Sequence, residues 1–226
     1  GETYKVDWQH NIYWHEDNTL TVGLETEEDK AKSSSPFGDF GPEDARTNSI
    51  YVQDQMDLTD SLFVTAGFRT DDHEEFGSET TYRVTAAYDL EPTDTRFRAS
   101  YGTGFKAPSL YQLYDPSNGN ADLQPEESKG WDAGVEQAVL DDRVNVEVTY
   151  FENDIDDLIE WVPTGMFVGE YRNVAEAETS GVESRITYSP LEVLDLWGSY
   201  TYTSTEDTLL VTSGEGRLVG ALNMHD

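Results

Sequence analysis

Apolar and polar side chains alternate over stretches of about ten residues along most of this chain. In the first stretch, Tyr4, Val6 and Trp8 are separated by Lys5 and Asp7, and the alternation continues beyond them. Successive side chains of a β-strand point to opposite faces of a sheet, so each stretch predicts a strand with one apolar and one polar face. The whole pattern predicts about ten strands and an all-β, antiparallel fold.

The connections between the predicted strands alternate in length. Short turns are predicted at 15–18, 58–61, 91–94, 140–143 and 189–193, and long polar loops at about 26–46, 71–79, 102–128, 158–171 and 204–217. Outer-membrane barrels connect their strands in this way, with the long loops outside the cell and aromatic residues at both interfaces. The pattern therefore predicts an antiparallel transmembrane β-barrel segment. A soluble antiparallel sandwich, acidic and able to bind calcium, is the alternative fold.

The charge balance of the chain is strongly acidic. There are 46 Asp and Glu against 14 Lys and Arg, which gives a net charge of -32. No nucleic acid is expected as a partner, whereas divalent cations and basic ligands remain open. The absence of cysteine excludes disulfides and thiolate chemistry. No apolar run approaches the roughly 18 residues of a membrane helix, and no basic and then apolar leader opens the chain. Because residue 1 is Gly rather than Met, we expect a piece of a longer precursor.

Two ordered motifs stand well apart in the chain. The first, YGTGFKAPSLYQLYDPSNGNADLQPEESK, runs from Tyr101 to Lys129, and the second, YRNVAEAETSGVE, runs from Tyr171 to Glu183. In both, the sequence resembles the TonB-dependent outer-membrane receptors, the transporters of cobalamin and ferric siderophores. In that family a strand ending in Y-G-T-G-F/Y-K-A-P-x-L-x-x-L-Y leads into an extracellular loop that closes with N-x-x-L-x-P-E-x-S. The pattern N-V-x-x-A-x-x-x-G-V-E follows it.

The resemblance implies a barrel of about 22 strands filled by an amino-terminal plug, with residues 1–226 forming part of the barrel domain. The plug and its TonB-binding box are not visible in the sequence. The resemblance also implies a bacterial outer-membrane location, contact with outer-membrane lipid, and import of cobalamin or a ferric siderophore with energy coupled through TonB. A passive porin-like or adhesin barrel shares the strand pattern but not the two motifs.

Aromatic side chains in the predicted extracellular loops are the candidate ligand contacts, because aromatic faces suit a large, planar or polar chelate. They are Phe105, Tyr111, Tyr114, Trp161, Phe167 and Tyr171. Packing within the loops or at the membrane interface is the alternative role for each of them. Gly102, Gly104 and Pro108 are interpreted as residues that shape the loop backbone.

Two acidic clusters are candidate calcium ligands, since calcium prefers several carboxylate oxygens. The clusters are Asp71, Asp72, Glu74 and Glu75, and Asp154, Asp156 and Asp157, with Asp115 as a further candidate. Neither cluster has the spacing of a helix-loop-helix calcium loop. Solvated or lumen-facing acids are therefore the alternative, and no cofactor is predicted with certainty.

Two polar residues conflict with a lipid-facing apolar surface. Asp54 lies between Val52 and Met56, and His10 lies between Trp8 and Ile12. A charge facing lipid at mid-depth costs on the order of 2 kcal/mol. A local bulge, a position near the membrane interface, or a face that lipid does not reach would each explain Asp54.

No enzymatic activity is predicted. None of the four histidines stands in a metal-ligand spacing or beside a nucleophile motif. Gly102 and Gly104 lack the third glycine and the strand-loop-helix setting of a dinucleotide site. The sequence leaves the substrate open between cobalamin and a ferric siderophore.

Overall fold

Eleven β-strands follow one another in the part of the chain that the structure, a computed structural model, describes: residues 1–35, 38–166, 168–191, 193–213 and 217–224. They are β1 Glu2–His15, β2 Asn18–Ser35, β3 Gly38–Thr59, β4 Leu62–His73, β5 Gly77–Leu90, β6 Thr95–Lys106, β7 Glu126–Val139, β8 Val144–Gly165, β9 Val168–Leu191, β10 Leu194–Ser213 and β11 Arg217–Met224. Each strand pairs with its sequence neighbours in a single antiparallel sheet, with β1 and β11 at the edges. The predicted all-β, antiparallel fold is confirmed.

Two short helices accompany the sheet: a 3-10 turn at Glu91–Thr93 and an α-helix, α1, at Leu110–Tyr114. Among the described residues, neither helix has the length and apolar composition needed to cross a membrane.

The sheet has an apolar face and a polar face, as the alternation predicts. The register places Trp8 opposite Leu24 and Leu24 opposite Ile50, so apolar positions continue from strand to strand. On this apolar face Trp8 is 55% exposed and Ile50 is 49% exposed. A sandwich would bury such side chains between two sheets. Because the described strands form one sheet, the soluble-sandwich alternative is wrong.

Three of the predicted long loops are strand for most of their length, so these predictions were wrong. Residues 26–46 belong mainly to β2 and β3, residues 158–171 to β8 and β9, and the described part of 204–217 to β10 and β11. β8 has 22 residues and β9 has 24, whereas about ten cross a bilayer. The hairpins extend beyond the apolar band because pairing between neighbours satisfies their backbone N–H and C=O groups even where the side chains are polar.

The remaining connections are closer to prediction. Short connections join β1 to β2, β3 to β4, β5 to β6 and β7 to β8 at the predicted places. The turn predicted at 189–193 falls where β9 ends and β10 begins, and its residue 192 lies outside the described residues. Residues 71–79 are mostly strand with a tight turn. Within 102–128, only residues 107–125 leave the sheet. This excursion between β6 and β7, called the signature segment below, carries most of the first motif.

Asp54 lies near the short-turn end of the apolar face. It stands opposite Leu20 and Ala66, and the side-chain amide of Asn18, the first residue of β2, lies 3.4 Å from its carboxylate as a hydrogen-bond donor. The carboxylate is therefore at the rim of the apolar band, which agrees with a position near the membrane interface. His10 is exposed on the same face and lies parallel to Trp8.

Candidate ligand-binding site

The signature segment begins with a helix that its own side chains initiate. The Ser109 hydroxyl accepts a hydrogen bond from the Gln112 backbone N–H at 3.3 Å, and the Gln112 side-chain oxygen accepts one from the Ser109 N–H at 2.9 Å. This capping box satisfies two N–H groups that the helix start would otherwise leave unpaired. α1 has only five residues, too few for stability in isolation. Its position therefore depends on packing against the sheet.

Two small apolar clusters hold the signature segment against neighbouring hairpins. Leu110 packs with Phe40 and Ala45 of β3. The second cluster consists of Leu113, Leu123 and Ile159, with Phe76, Tyr114 and Tyr171 packed around it. Leu123 is 1% exposed, and burying such a side chain contributes roughly 2 kcal/mol. The segment is thus attached to both the β2–β3 and the β8–β9 hairpins.

Side-chain amides connect the two sequence motifs. The Asn173 side chain donates to the carbonyls of Gln124 at 2.8 Å and Asp157 at 2.7 Å, and its oxygen accepts from the Gln124 N–H at 2.9 Å. The side-chain amide of Asn120 donates to the Tyr171 carbonyl at 2.8 Å. The two motifs, far apart in the chain, therefore form one hydrogen-bonded structure.

Glu126, at the start of β7, fixes the other end of the signature segment. Its buried carboxylate accepts a hydrogen bond from the Ile159 N–H at 3.0 Å and pairs with the Lys106 ammonium at 2.8 Å. Just before Ile159, Asp157 adopts a left-handed φ of 55° at an irregularity in the β8–β9 pairing. Such a φ is uncommon outside glycine, although Asp and Asn tolerate it best. The irregularity turns the strand so that Ile159 faces the signature segment.

Three of the candidate aromatics meet beside this structure. The Tyr111 ring is edge-on to Phe40 and to Tyr171, with centroids 5.8 Å and 6.4 Å apart. Trp161 stands opposite Tyr171 in the sheet, and its indole N–H donates to the side-chain oxygen of Asn118 at 3.3 Å. Tyr111 is 43% exposed and Trp161 44%, so both rings are accessible to a ligand. Phe40, Tyr111, Trp161 and Tyr171 are called the aromatic surface below.

The other three candidate aromatics lie elsewhere. Tyr114 is half-buried against the second apolar cluster. Phe105 stands opposite Glu127, and the two-residue period places it on the apolar face with Tyr101 rather than beside Tyr111. Phe167 lies outside the described residues. Phe40 was missed by the sequence analysis because it belongs to neither motif and joins the site only through the pairing of β2 with β3.

The phenols of Tyr111 and Tyr114 are held in their neutral form. Desolvation by burial is the main reason why the pKa of each phenol lies above its usual value. The negative charge of Asp115 raises the pKa of Tyr111 further, and a hydrogen bond to Glu75 does the same for Tyr114. At neutral pH both hydroxyls are therefore hydrogen-bond donors placed beside carboxylates.

The first acidic cluster is divided among separate partners. Asp71 is buried, accepts a hydrogen bond from a serine hydroxyl at 2.5 Å, and pairs with Arg69 at 2.8 Å. Asp72 and Glu74 accept hydrogen bonds from different groups, and Glu75 faces Tyr114. These four acids therefore do not converge on one point, and calcium binding by them stays a prediction.

The three acids of the second cluster also have separate partners in the structure. Asp154 lies with Glu152 and Glu178, whose carboxylate oxygens fall within 4.8 Å of one another. Asp156 instead pairs with a lysine at 3.5 Å, and Asp157 contributes its carbonyl to the Asn173 contacts. Glu152 and Glu178 were missed because the pairing of Asp154 with Glu178 depends on strand register. Exposed acids commonly group in this way without an ion, so calcium again stays a prediction.

Paired charges cover the polar face below the signature segment. Arg69 pairs with Glu25 at 2.7 Å, Lys5 pairs with the same carboxylate at 2.9 Å, and the Tyr51 hydroxyl donates to Asp7 at 3.1 Å. These side chains line an open cleft of about 780 Å³. Most of the residues that line the cleft are polar or charged, as in the interior of a transmembrane barrel.

The sequence of this chain is similar to those of known transport proteins. A family model described as "TonB dependent receptor-like, beta-barrel" matches residues 1–222. The vitamin B12 transporter BtuB of Photobacterium profundum is 33% identical over 186 residues, which are 79% of this chain and 29% of that protein.

Solved structures show the same fold. The siderophore receptor PirA from Pseudomonas aeruginosa superposes with a TM-score of 0.77 at 24% identity, over 92% of this chain and 45% of that one. PirA from Acinetobacter baumannii gives 0.73 at 21% identity, over 91% and 39%. The chain thus spans less than half the length of these relatives. All three are transporters or receptors by name, which agrees with the prediction that the chain is not an enzyme.

Proposed function

Because this chain belongs to the TonB-dependent receptor β-barrel family, we propose that it forms part of the barrel wall and ligand-binding mouth of an outer-membrane transport receptor. The observation that carries the proposal is the aromatic surface, which the two motifs hold together on the polar face. The bacterial outer membrane, its lipid and the energy-coupling protein TonB are the location and partners proposed with it.

The two faces of the sheet support a position in a membrane. The apolar face leaves Phe68, Val84 and Ile186 about half exposed, which would be unfavourable in water and is favourable in lipid. The polar face carries the paired charges and the cleft, which suit a hydrated interior. The long polar hairpins then project beyond the bilayer on the side of the signature segment.

We propose cobalamin or a ferric siderophore as the ligand. The relative with 33% identity is named a vitamin B12 transporter, which favours cobalamin, whereas the likeness to siderophore receptors is one of fold. The aromatic surface offers accessible ring faces and an edge-to-face arrangement that would pack against a large, flat chelate.

Equilibrium binding tests this function in the full-length protein that contains this chain, inserted in outer-membrane vesicles. We expect saturable binding of cyanocobalamin or of one member of a panel of ferric siderophores. The double variant Tyr111→Ala/Trp161→Ala should weaken that binding by about tenfold or more, because two accessible ring faces are lost. Tyr200→Ala, which removes an exposed ring from the apolar face, is the matched control and should not.

One outcome of the binding experiment would contradict the proposed function. Slow, non-saturable passage of small solutes with no binding would indicate a passive barrel and contradict the proposal.

Repeating the titration in excess chelator tests the calcium prediction, since calcium that orders the acidic hairpins should raise the affinity for the ligand. Unchanged affinity after chelation would contradict a role for calcium.

A further inference from the structure

We infer that the aromatic surface selects a chelate that is neutral or positively charged, and discriminates against ferric complexes that carry several negative charges. This inference rests on the proposed function and names the ligand class of the same site. It is carried by the charges around the aromatic surface: carboxylates lie beside it, and the neighbouring cations of the polar face are paired with other carboxylates.

Carboxylates lie beside the aromatic surface and beside the neighbouring ring of Tyr114. Asp115 follows α1, and its carboxylate accepts a hydrogen bond from the Asn118 side chain at 3.0 Å. Asn118 in turn accepts the hydrogen bond of the Trp161 indole, so the charge of Asp115 lies beside the aromatic surface. Glu75, in the turn between β4 and β5, interacts with the Tyr114 hydroxyl, and Glu43 of β3 lies close enough for its charge to act on the same phenol. Tyr114 packs against the same apolar cluster as Tyr171. A ligand on the aromatic surface would therefore meet Asp115 directly and have Glu75 and Glu43 beside the neighbouring Tyr114.

The cations on the polar face near the signature segment are already paired. Lys106 pairs with Glu126 at 2.8 Å. Arg69 pairs with Glu25 at 2.7 Å and with Asp71 at 2.8 Å, and Lys5 pairs with Glu25 at 2.9 Å and with Glu27 at 3.4 Å. Each of these charges is offset by a carboxylate, so it cannot favour a bound anion as a free guanidinium or ammonium would.

Three further cations do not face the aromatic surface. Lys32 is exposed on β2 next to Ala31, whose side chain packs against Phe40, so the alternation of the strand directs Lys32 to the opposite face. Arg172 stands opposite Glu160 on the other face of its hairpin, where Glu170 pairs with it at 2.5 Å. Arg83 lies deeper on the polar face, in the cleft level with the apolar band. A ligand arriving from the loop side therefore reaches the carboxylates before it reaches Arg83.

The hairpins that surround the aromatic surface add further negative charge. Residues 71–79 contain five acids and no lysine or arginine, and residues 152–178 contain eight acids and one arginine. Fields from clustered charges of one sign add over distances of about 10 Å at 0.1 M salt. A neutral corrinoid, or a ferric complex bearing an ammonium group, would approach without opposition, whereas a trianionic tris-catecholate complex would be repelled.

The experiment compares three probes on the full-length protein in vesicles at low ionic strength: cyanocobalamin, a cationic ferric tris-hydroxamate, and a trianionic ferric tris-catecholate. The measured quantity is the ratio of the affinity for the trianion to the affinity for the better of the other two. The double variant Asp115→Asn/Glu75→Gln keeps the hydrogen-bond acceptors and removes two charges. We expect it to raise this ratio by about tenfold, because each removed carboxylate charge repelled the three negative charges of the trianion.

Asp60→Asn removes an exposed carboxylate at the opposite end of the sheet and should leave the ratio unchanged. Raising the salt concentration should raise the wild-type ratio, because screening weakens the repulsion. Tighter binding of the trianion than of the other probes by the wild type, or a ratio that the double variant does not raise, would overturn the inference. Saturable binding of none of the probes would instead contradict the proposed function, so the two failures are distinguishable.

Discussion

Asn173 is the residue on which the arrangement of the candidate site depends most directly. Its side chain makes three hydrogen bonds to backbone groups of Gln124 and Asp157, which belong to two different parts of the chain. A shorter or apolar side chain would leave these backbone groups unpaired. The position uses two donated hydrogens and one acceptor, a set that a side-chain amide supplies and a single hydroxyl does not.

Asn173→Ala should therefore loosen the signature segment without unfolding the sheet. Losing these hydrogen bonds costs roughly 2 to 4 kcal/mol in docking of the segment. Hydrogen exchange at the amides of Leu123 and Gln124 is the measurement, and it should accelerate strongly in the variant. Asn48→Ala, which removes one exposed hydrogen bond from Thr26, is the control. Equal protection of Leu123 in both variants would show that Asn173 does not hold the segment.

At the scale of elements, the sequence predicts strands well only where one face meets an apolar environment. Within the apolar band, the two-residue period located the strands and the short turns. Beyond the apolar band both faces of the strands are polar, so stretches such as 26–46 lose the alternation. Their sequence therefore predicts loops, although the backbone pairing of the strands continues. The first motif identifies the signature segment as a loop typical of the family. Its contacts with Phe40 and Ile159, however, depend on strand register, which no local pattern encodes.

The signature segment is also the element whose stability can be tested alone. Leu123→Ala should release residues 107–125 from the sheet, because a cavity replaces the most buried side chain of its cluster at a cost of about 2 to 4 kcal/mol. Limited proteolysis of vesicle-embedded receptor should then cut within this segment while the strands stay protected. Leu140→Ala, at a turn where the side chain is 69% exposed, should leave the cleavage pattern unchanged. Cleavage spread through the strands would mean that the segment supports the whole sheet.

At the scale of the whole molecule, the sheet is stable only if its two faces meet different surroundings. Val84 lies on the apolar face between Ala66 and Tyr101, and Thr85 lies next to it on the polar face. Val84→Arg should lower the free energy of unfolding in lipid vesicles by about 2 to 4 kcal/mol, because it places a charge toward the middle of the bilayer. Thr85→Arg adds the same side chain one residue away and should cost much less, since water and paired charges surround it.

Urea titration of the full-length receptor in vesicles, followed by its migration on unheated gels, measures both variants in one experiment. The pair is informative because strand propensity, side-chain size and depth in the bilayer are nearly matched, and only the face differs. Equal destabilisation by the two arginines would mean that both faces meet the same medium, which would contradict the membrane position. A large cost confined to Val84→Arg would assign lipid to one face and the hydrated lumen to the other, the asymmetry on which ligand capture at the polar face depends.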